Sequence, residues 1–172
     1  MNKFCITGIS GTGKTTVSQL LNQKGYKSID IDEVKGLCHW RNKETQEKAR
    51  FYTGIGKDWL EAHEWICDIE KLKQLINQNN GPVVVIGMPT NQKEFYSLFD
   101  TIFLFQCSEN TFIHRLNTRV NNDFGKDIEE QKIILNWYKD FEKEMLENGA
   151  IPINTEKPAN EVAEEVIKNI TN

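Results

Sequence analysis

The apolar run Phe4-Cys5-Ile6-Thr7 leads straight into Gly8-Ile9-Ser10-Gly11-Thr12-Gly13-Lys14-Thr15, and no other stretch restricts the fold as strongly. The octet fits G-x-x-x-x-G-K-[ST], the phosphate-binding P-loop. At ordinary residue frequencies its four fixed positions coincide by chance in roughly one window in 30,000. Its context also fits, with a strand-like run before it and a helix-like run after it. Glycines let the backbone take positive φ and turn successive N–H groups toward one anion. Lys14 brings a positive charge to the β- and γ-phosphates, and the Thr15 hydroxyl can ligate Mg²⁺. The following helix adds its dipole and its free N–H groups. The nucleotide-binding residues are therefore Gly8, Ile9, Ser10, Gly11, Thr12, Gly13, Lys14, Thr15 and Thr16.

The rest of the chain alternates between strands and helices. Residues 3–7 read as a buried strand, and residues 14–24 as a helix with Val17, Leu20 and Leu21 on one face and Gly25 as its stop. Residues 26–32 (Tyr-Lys-Ser-Ile-Asp-Ile-Asp) read as a second strand ending in carboxylates. Residues 33–65 are polar, irregular and rich in aromatics. Ile66, Ile69, Leu72, Leu75 and Ile76 form a helical stripe, and Val83-Val84-Val85-Ile86 is a β-branched run suited to a strand buried on both faces. Thr90 or Asn91 caps a predicted short helix reaching Leu98. Further strands are expected at 101–106 and 150–154. Helices are expected from Ser108, around residues 134–145 with Gly149 as the stop, and after Pro158. Five strands alternating with helices imply one α/β domain over residues 1–172, with a parallel sheet covered on both faces. Ligands in such sheets lie at the carboxyl ends of the strands. That brings the P-loop, Asp30, Asp32, residues 87–91 and the turn after Asn154 to one crevice.

Composition excludes several alternatives. An apolar content of 38% and a charged content of 27% suit a globular domain. No apolar stretch has the length of a membrane span and no leader pattern is visible, so a cytoplasmic location with no membrane partner is expected. A net charge of −4 without a basic stripe argues against a nucleic-acid partner. Cys5, Cys38, Cys67 and Cys107 are scattered, as expected of reduced thiols.

Beyond the loop, Asp30 and Asp32 alternate on the second strand and so share a face. One of them could hold Mg²⁺ through water while the other accepts a proton from a substrate hydroxyl. The strand at 83–86 runs into Gly87-Met88-Pro89 without an acid, so the metal-side carboxylate has to come from this pair. The same absence argues against an oligomeric AAA+ motor. Arg115 and Arg119, four apart on a predicted helix, share a face and are suited to neutralise charge on a transferring phosphoryl group.

Together these residues resemble the P-loop small-molecule kinases, the group of shikimate, gluconate and nucleoside or nucleotide kinases. The resemblance is carried by Gly8 to Thr15 and by Asp30-x-Asp32. It extends over Gly87-x-x-x-Asn91-Gln92-x-x-Phe95 and Arg115-x-x-x-Arg119-x-Asn121-Asn122-x-x-Gly125-Lys126, which look like a bacterial branch of ATP-binding, kinase-like proteins. It implies a three-layer α/β/α fold with sheet order 2-3-1-4-5, a lid over residues 119–127, and adenine held near Asn154 and Pro158. It further implies ATP and Mg²⁺ as cofactors, with Lys14 on the phosphates, Thr15 and Asp30 on the metal, Asp32 toward the acceptor and Arg119 in the lid. Arg115 is expected beside the nucleotide. A small-molecule acceptor is expected near Asp32, Gly87, Asn91 and residues 36–80, in a monomer or homodimer. The function expected is transfer of the γ-phosphate of ATP to a hydroxyl or phosphate acceptor. The rival expectation is a regulatory ATPase or switch without an acceptor.

Overall fold

A computed structural model describes residues 2–120 and 123–171. Asn121 and Asn122, which belong to the expected lid, lie outside the described residues. The central sheet is built from β1 (Lys3–Thr7), β2 (Lys27–Asp30), β6 (Val83–Ile86), β7 (Thr101–Gln106) and β8 (Ile151–Asn154). All are parallel, in the order β2-β6-β1-β7-β8. This is the expected order 2-3-1-4-5.

The period of two in these strands sorts their side chains onto opposite faces. Phe4, Ile6, Val84, Ile86, Phe103 and Phe105 pack with α1 (Lys14–Gln23) and α6 (Ala159–Thr171) on one face. Cys5, Val83 and Val85 pack on the other with Leu72 and Ile76 of α3 (Ile69–Asn77). Two further helices, α4 (Glu109–Thr118) and α5 (Ile128–Glu147), cover the P-loop, with Phe112, Leu116, Ile134 and Tyr138 against Ile9.

The stretch expected to be irregular is instead ordered. It holds β3 (Cys38–Asn42), β4 (Lys48–Ala49), a short α2 (Lys57–Ala62) and β5 (His63–Cys67), forming an antiparallel sheet of order β4-β3-β5. Ile66 lies in β5 rather than in the following helix, because Asp68 caps α3 by accepting from Lys71 N–H at 3.0 Å. The helix expected to reach Leu98 is two 3₁₀ turns, Gln92–Glu94 and Tyr96–Leu98, with no side-chain cap. Asn91 does not cap them. Its side chain pairs with both the N–H and the C=O of Cys67, each at 3.0 Å, and so fastens the loop after β6 to the free edge of β5. Among the described residues no helix is long and apolar enough to cross a membrane.

Candidate active site

The loop after β1 keeps its shape through contacts that only its own residues permit. Gly8 has φ +141°, and a Cβ there would sit 2.6 Å from the Phe105 carbonyl oxygen. Thr12 is buried and donates its hydroxyl to Ile9 O at 2.8 Å. The side chains of Ile9 and Thr12 therefore face the protein, and only their backbone can meet a ligand. Gly13 is the left-handed N-cap of α1, and among the described residues no side chain caps the first N–H groups of that helix. Lys14 Nζ donates to Gly8 O at 2.6 Å and Ile9 O at 2.9 Å, which holds the ammonium over the loop. Burial lowers its pKa to about 8, against the pull of Asp32 and Asp30. Thr16 is exposed at the rim.

The two aspartates take different partners. Asp30, only 5% exposed at the end of β2, accepts from the Thr15 hydroxyl through Oδ2 at 2.7 Å. Its Oδ1 accepts from Asp32 N–H at 3.1 Å. The strand stops at Asp30, so Asp32 lies in the turn beyond it and not on a shared strand face as expected. From there Asp32 accepts from the Trp65 indole N–H at 2.9 Å. Its carboxylate opens to solvent, yet the surrounding walls strip enough hydration to raise its pKa. The Asp30 charge adds to that shift, while Lys14 and the Trp65 bond oppose it. Gly87 lies beneath this turn, its missing Cβ leaving room for Ile31, which a side chain there would meet at 2.2 Å. Gly87 thus supports the turn that carries Asp32.

Both arginines reach the P-loop, by separate routes. Arg115 on α4 donates to Thr155 O at 2.6 Å and Thr155 Oγ1 at 3.2 Å, with Gly11 O at 3.5 Å. It braces the loop against the turn after β8. Asn154, the last residue of β8, accepts from Glu156 N–H in that turn at 2.9 Å. Exposed Pro158 ends the turn, its carbonyl accepting from Glu161 N–H at the start of α6. Arg119 lies past the end of α4 in extended backbone, so the two arginines do not share one helix face. Its guanidinium donates to Ser10 Oγ at 3.2 Å and to the Phe124 carbonyl. Burial pulls its pKa below the usual arginine value against the attraction of Asp123 and Glu130, and its Nε is buried without a partner among the described residues.

The small sheet supplies an aromatic wall beside Asp32. Trp40 lies 5.7 Å from Trp65, 5.2 Å from Trp59 and 5.8 Å from Phe51, measured between ring centroids. Phe124, whose carbonyl Arg119 holds, reaches it from outside the small sheet, 5.3 Å from Phe51 and 6.0 Å from Trp40. All five rings are half-buried.

Residues 5–136 match the model of a P-loop family described as the AAA domain. The chain belongs to that family. No curated protein matches the sequence. Among solved structures it is similar to deoxyadenosine kinase from M. mycoides with bound dATP, at 17% identity and TM-score 0.61, with 99% of this chain and 100% of that one covered. It is likewise similar to shikimate kinase from Acinetobacter baumannii in complex with shikimate, at 15% identity and TM-score 0.61, covering 99% and 93%. A gluconokinase from Sinorhizobium meliloti 1021 aligns at 16% identity and TM-score 0.56, covering 99% and 91%. The fold is thus that of the P-loop small-molecule kinases. Within the AAA domain family this member has a β6 that runs into Gly87-Met88-Pro89 without an acid, and its metal-side carboxylate candidate is Asp30 on β2. The contacts of Trp65 and Glu130 are not marked by any sequence motif for the site. Trp65 is one of the tryptophans between residues 40 and 65 that the sequence leaves open as core or as the lining of an acceptor pocket. Glu130, three residues after Asp127, looks like the last residue of a helix capping box.

Proposed function

We propose that this chain is an ATP- and Mg²⁺-dependent phosphotransferase that moves the γ-phosphoryl group of ATP to a small-molecule hydroxyl or phosphate acceptor. The observation that carries this reading is the divergence of the two aspartates. Asp30 turns to Thr15 on the phosphate side, and Asp32 turns to Trp65 on the side of the aromatic wall. A Thr hydroxyl and a buried carboxylate 2.7 Å apart are hard oxygen donors of the kind Mg²⁺ takes alongside water and phosphate. Thr15 and Asp30 would hold the ion, which when bound neutralises charge on the phosphates.

The chain's own groups then divide the work. Lys14 and the loop N–H groups hold the phosphates, and Arg119, anchored on Ser10, faces the charge that spreads over the transferring group. For a hydroxyl acceptor, its oxygen forms the new bond to the γ-phosphorus as the bond to the β–γ bridging oxygen breaks. ADP leaves and the hydroxyl proton passes to Asp32. The raised pKa of Asp32 brings it closer to neutral pH, which suits a proton acceptor. Asn154 and Pro158 sit where the adenine would lie, braced to the P-loop through Arg115 and Thr155. Among acceptors, the half-buried rings of Trp40, Phe51, Trp59, Trp65 and Phe124 favour one with a flat ring, as in a nucleoside or nucleotide, over an acyclic sugar acid.

The test is ATP consumption over a panel of nucleosides, nucleotides and hydroxy acids, beside a control without acceptor, for wild type and Lys14→Ala. Acceptor-dependent turnover lost in the variant supports the reading. Turnover indifferent to every acceptor would favour a regulatory ATPase.

A further inference from the structure

Glu130 opens α5 behind its cap Asp127, a D-x-x-E spacing that normally folds the glutamate back onto its own helix. Here it does something else. Asp127 accepts from the N–H groups of Glu129 and Glu130, while the Glu130 carboxylate, in a side chain 1% exposed, reaches away from the helix. Its Oε1 accepts from Gly54 N–H at 3.1 Å, across 76 residues of sequence, and its Oε2 accepts from Gly125 N–H at 2.7 Å. Gly54 belongs to the insert that carries the aromatic wall, and Gly125 follows the Arg119 loop.

The Gly125 end of this tie is closely seated. Gln131, also buried, donates to Gly125 O at 3.0 Å and to Asn117 Oδ1 at 2.8 Å. Gly125 has φ +83°, and a Cβ there would lie 2.9 Å from Leu116 Cδ1 and 3.2 Å from Ile134 Cδ1. One residue earlier, the Phe124 carbonyl accepts from Arg119, which also holds Ser10 of the P-loop. A continuous set of contacts thus runs from the P-loop through Arg119, Phe124 and Gly125 to Glu130, and on to Gly54.

We propose that Glu130 is a positioning residue that couples the acceptor-side insert to the arginine loop, so that nucleotide at the P-loop orders the insert. The inference rests on the nucleotide-binding part of the function proposed above. A carboxylate suits this place because it offers an acceptor to each of two amides, and a carboxamide offers only one oxygen and sets an NH₂ group against the other N–H. Coupling of this kind requires an element that both sites bias. Glu130 is bonded to both segments while touching neither site, which fits it for that part.

The experiment uses the full chain and Mg²⁺ with a non-hydrolysable ATP analogue. Calorimetry measures affinity, and amide hydrogen exchange is followed at Gly54. In the wild type the analogue should slow exchange at Gly54 about tenfold or more, a shift of about 1.4 kcal/mol in the opening equilibrium. In Glu130→Gln the affinity should stay within about threefold while the response at Gly54 falls below about twofold, on the same scale. Glu130→Asp keeps the charge but is one methylene short of spanning both amides, and it should uncouple in the same way if Glu130→Gln does not fold. A residue with a purely structural role would lower stability without removing the nucleotide-dependent response. A full response at Gly54 in a folded variant, or none in a wild type that binds the analogue, would overturn the coupling. Absence of analogue binding to the wild type would overturn the nucleotide reading itself, and the calorimetry alone would reveal it.

Discussion

Replacing Asp32 by Asn should cost activity and add stability. Asp32 has its folded pKa raised, first by desolvation and then by the Asp30 charge. The folded chain therefore holds this proton more tightly than the unfolded chain does. The stability contributed by protonated Asp32 is fully present below the unfolded pKa and is lost as pH rises through the folded value. At neutral pH the ionised group is a net cost, which Asn removes while keeping an oxygen for the Trp65 indole. Because the carboxylate opens to solvent, the gain is screened to about 0.5–1 kcal/mol. For a domain of this size that corresponds to about 1–4 °C in Tm. Transfer to acceptor should fall about 10²–10⁴-fold, the range of a positioned general base, with little change in ATP affinity. Thermal unfolding at pH 7 and below pH 4, calorimetric ATP titration and acceptor turnover measure all of this together. The Tm gain should vanish at the acid end. A variant that melts lower at pH 7, or that keeps wild-type turnover, would rule out this role for Asp32. Loss of ATP affinity alongside turnover would move Asp32 to the metal side.

Other consequences follow from the same geometry. Lys14, at a pKa of about 8, should regain its proton when phosphates arrive, so nucleotide binding near pH 8 should take up protons. Calorimetry in buffers of different ionisation enthalpy detects this, and Lys14→Ala should abolish the uptake and weaken binding. Arg119→Ala should lower kcat by about 10³–10⁵ with a much smaller change in KM, as for arginines that act on the transition state. A kcat within a few-fold of wild type in steady-state assays would reduce Arg119 to a surface contact. Gly125→Ala should destabilise the domain by about 1–3 kcal/mol, because left-handed backbone and the 2.9 Å approach to Leu116 both oppose a side chain. Denaturant unfolding checks that figure.

The parallel sheet and the P-loop were legible because their signals are local. Val83 to Ile86 is an unbroken β-branched run buried to its last residue, and the glycine spacing of the loop is itself a geometric requirement. The small antiparallel sheet was not legible. In β3, Cys-His-Trp-Arg-Asn, every residue is half-buried, so no apolar–polar alternation marks a core face. Its partner β5 was obscured by Ile66, which continues the helical spacing of α3 although Asp68 starts that helix two residues later. The aspartate pair was found as a pair. The expected split, Asp30 to the metal and Asp32 to the acceptor, came with the resemblance; not legible was that the strand stops at Asp30, so that the turn carries Asp32 to Trp65. Arg119 was found from its spacing to Arg115, though its route to Ser10 runs from extended backbone beyond the helix. Glu130 was hidden because its meaning lies in a contact 76 residues away, and nearby sequence offers a simpler use for it as a cap.

In the proposed reaction, phosphate leaves ATP for an acceptor and not for water. The most direct measurement is a ³¹P NMR time course with Mg²⁺-ATP and an acceptor that raises turnover, integrating ADP, inorganic phosphate and phosphorylated product in one sample. A phosphotransferase gives one phosphorylated acceptor for each ADP, inorganic phosphate no higher than in the acceptor-free control, and loss of product in Asp32→Asn. ADP matched by inorganic phosphate at the same rate with or without any acceptor would contradict the proposed reaction.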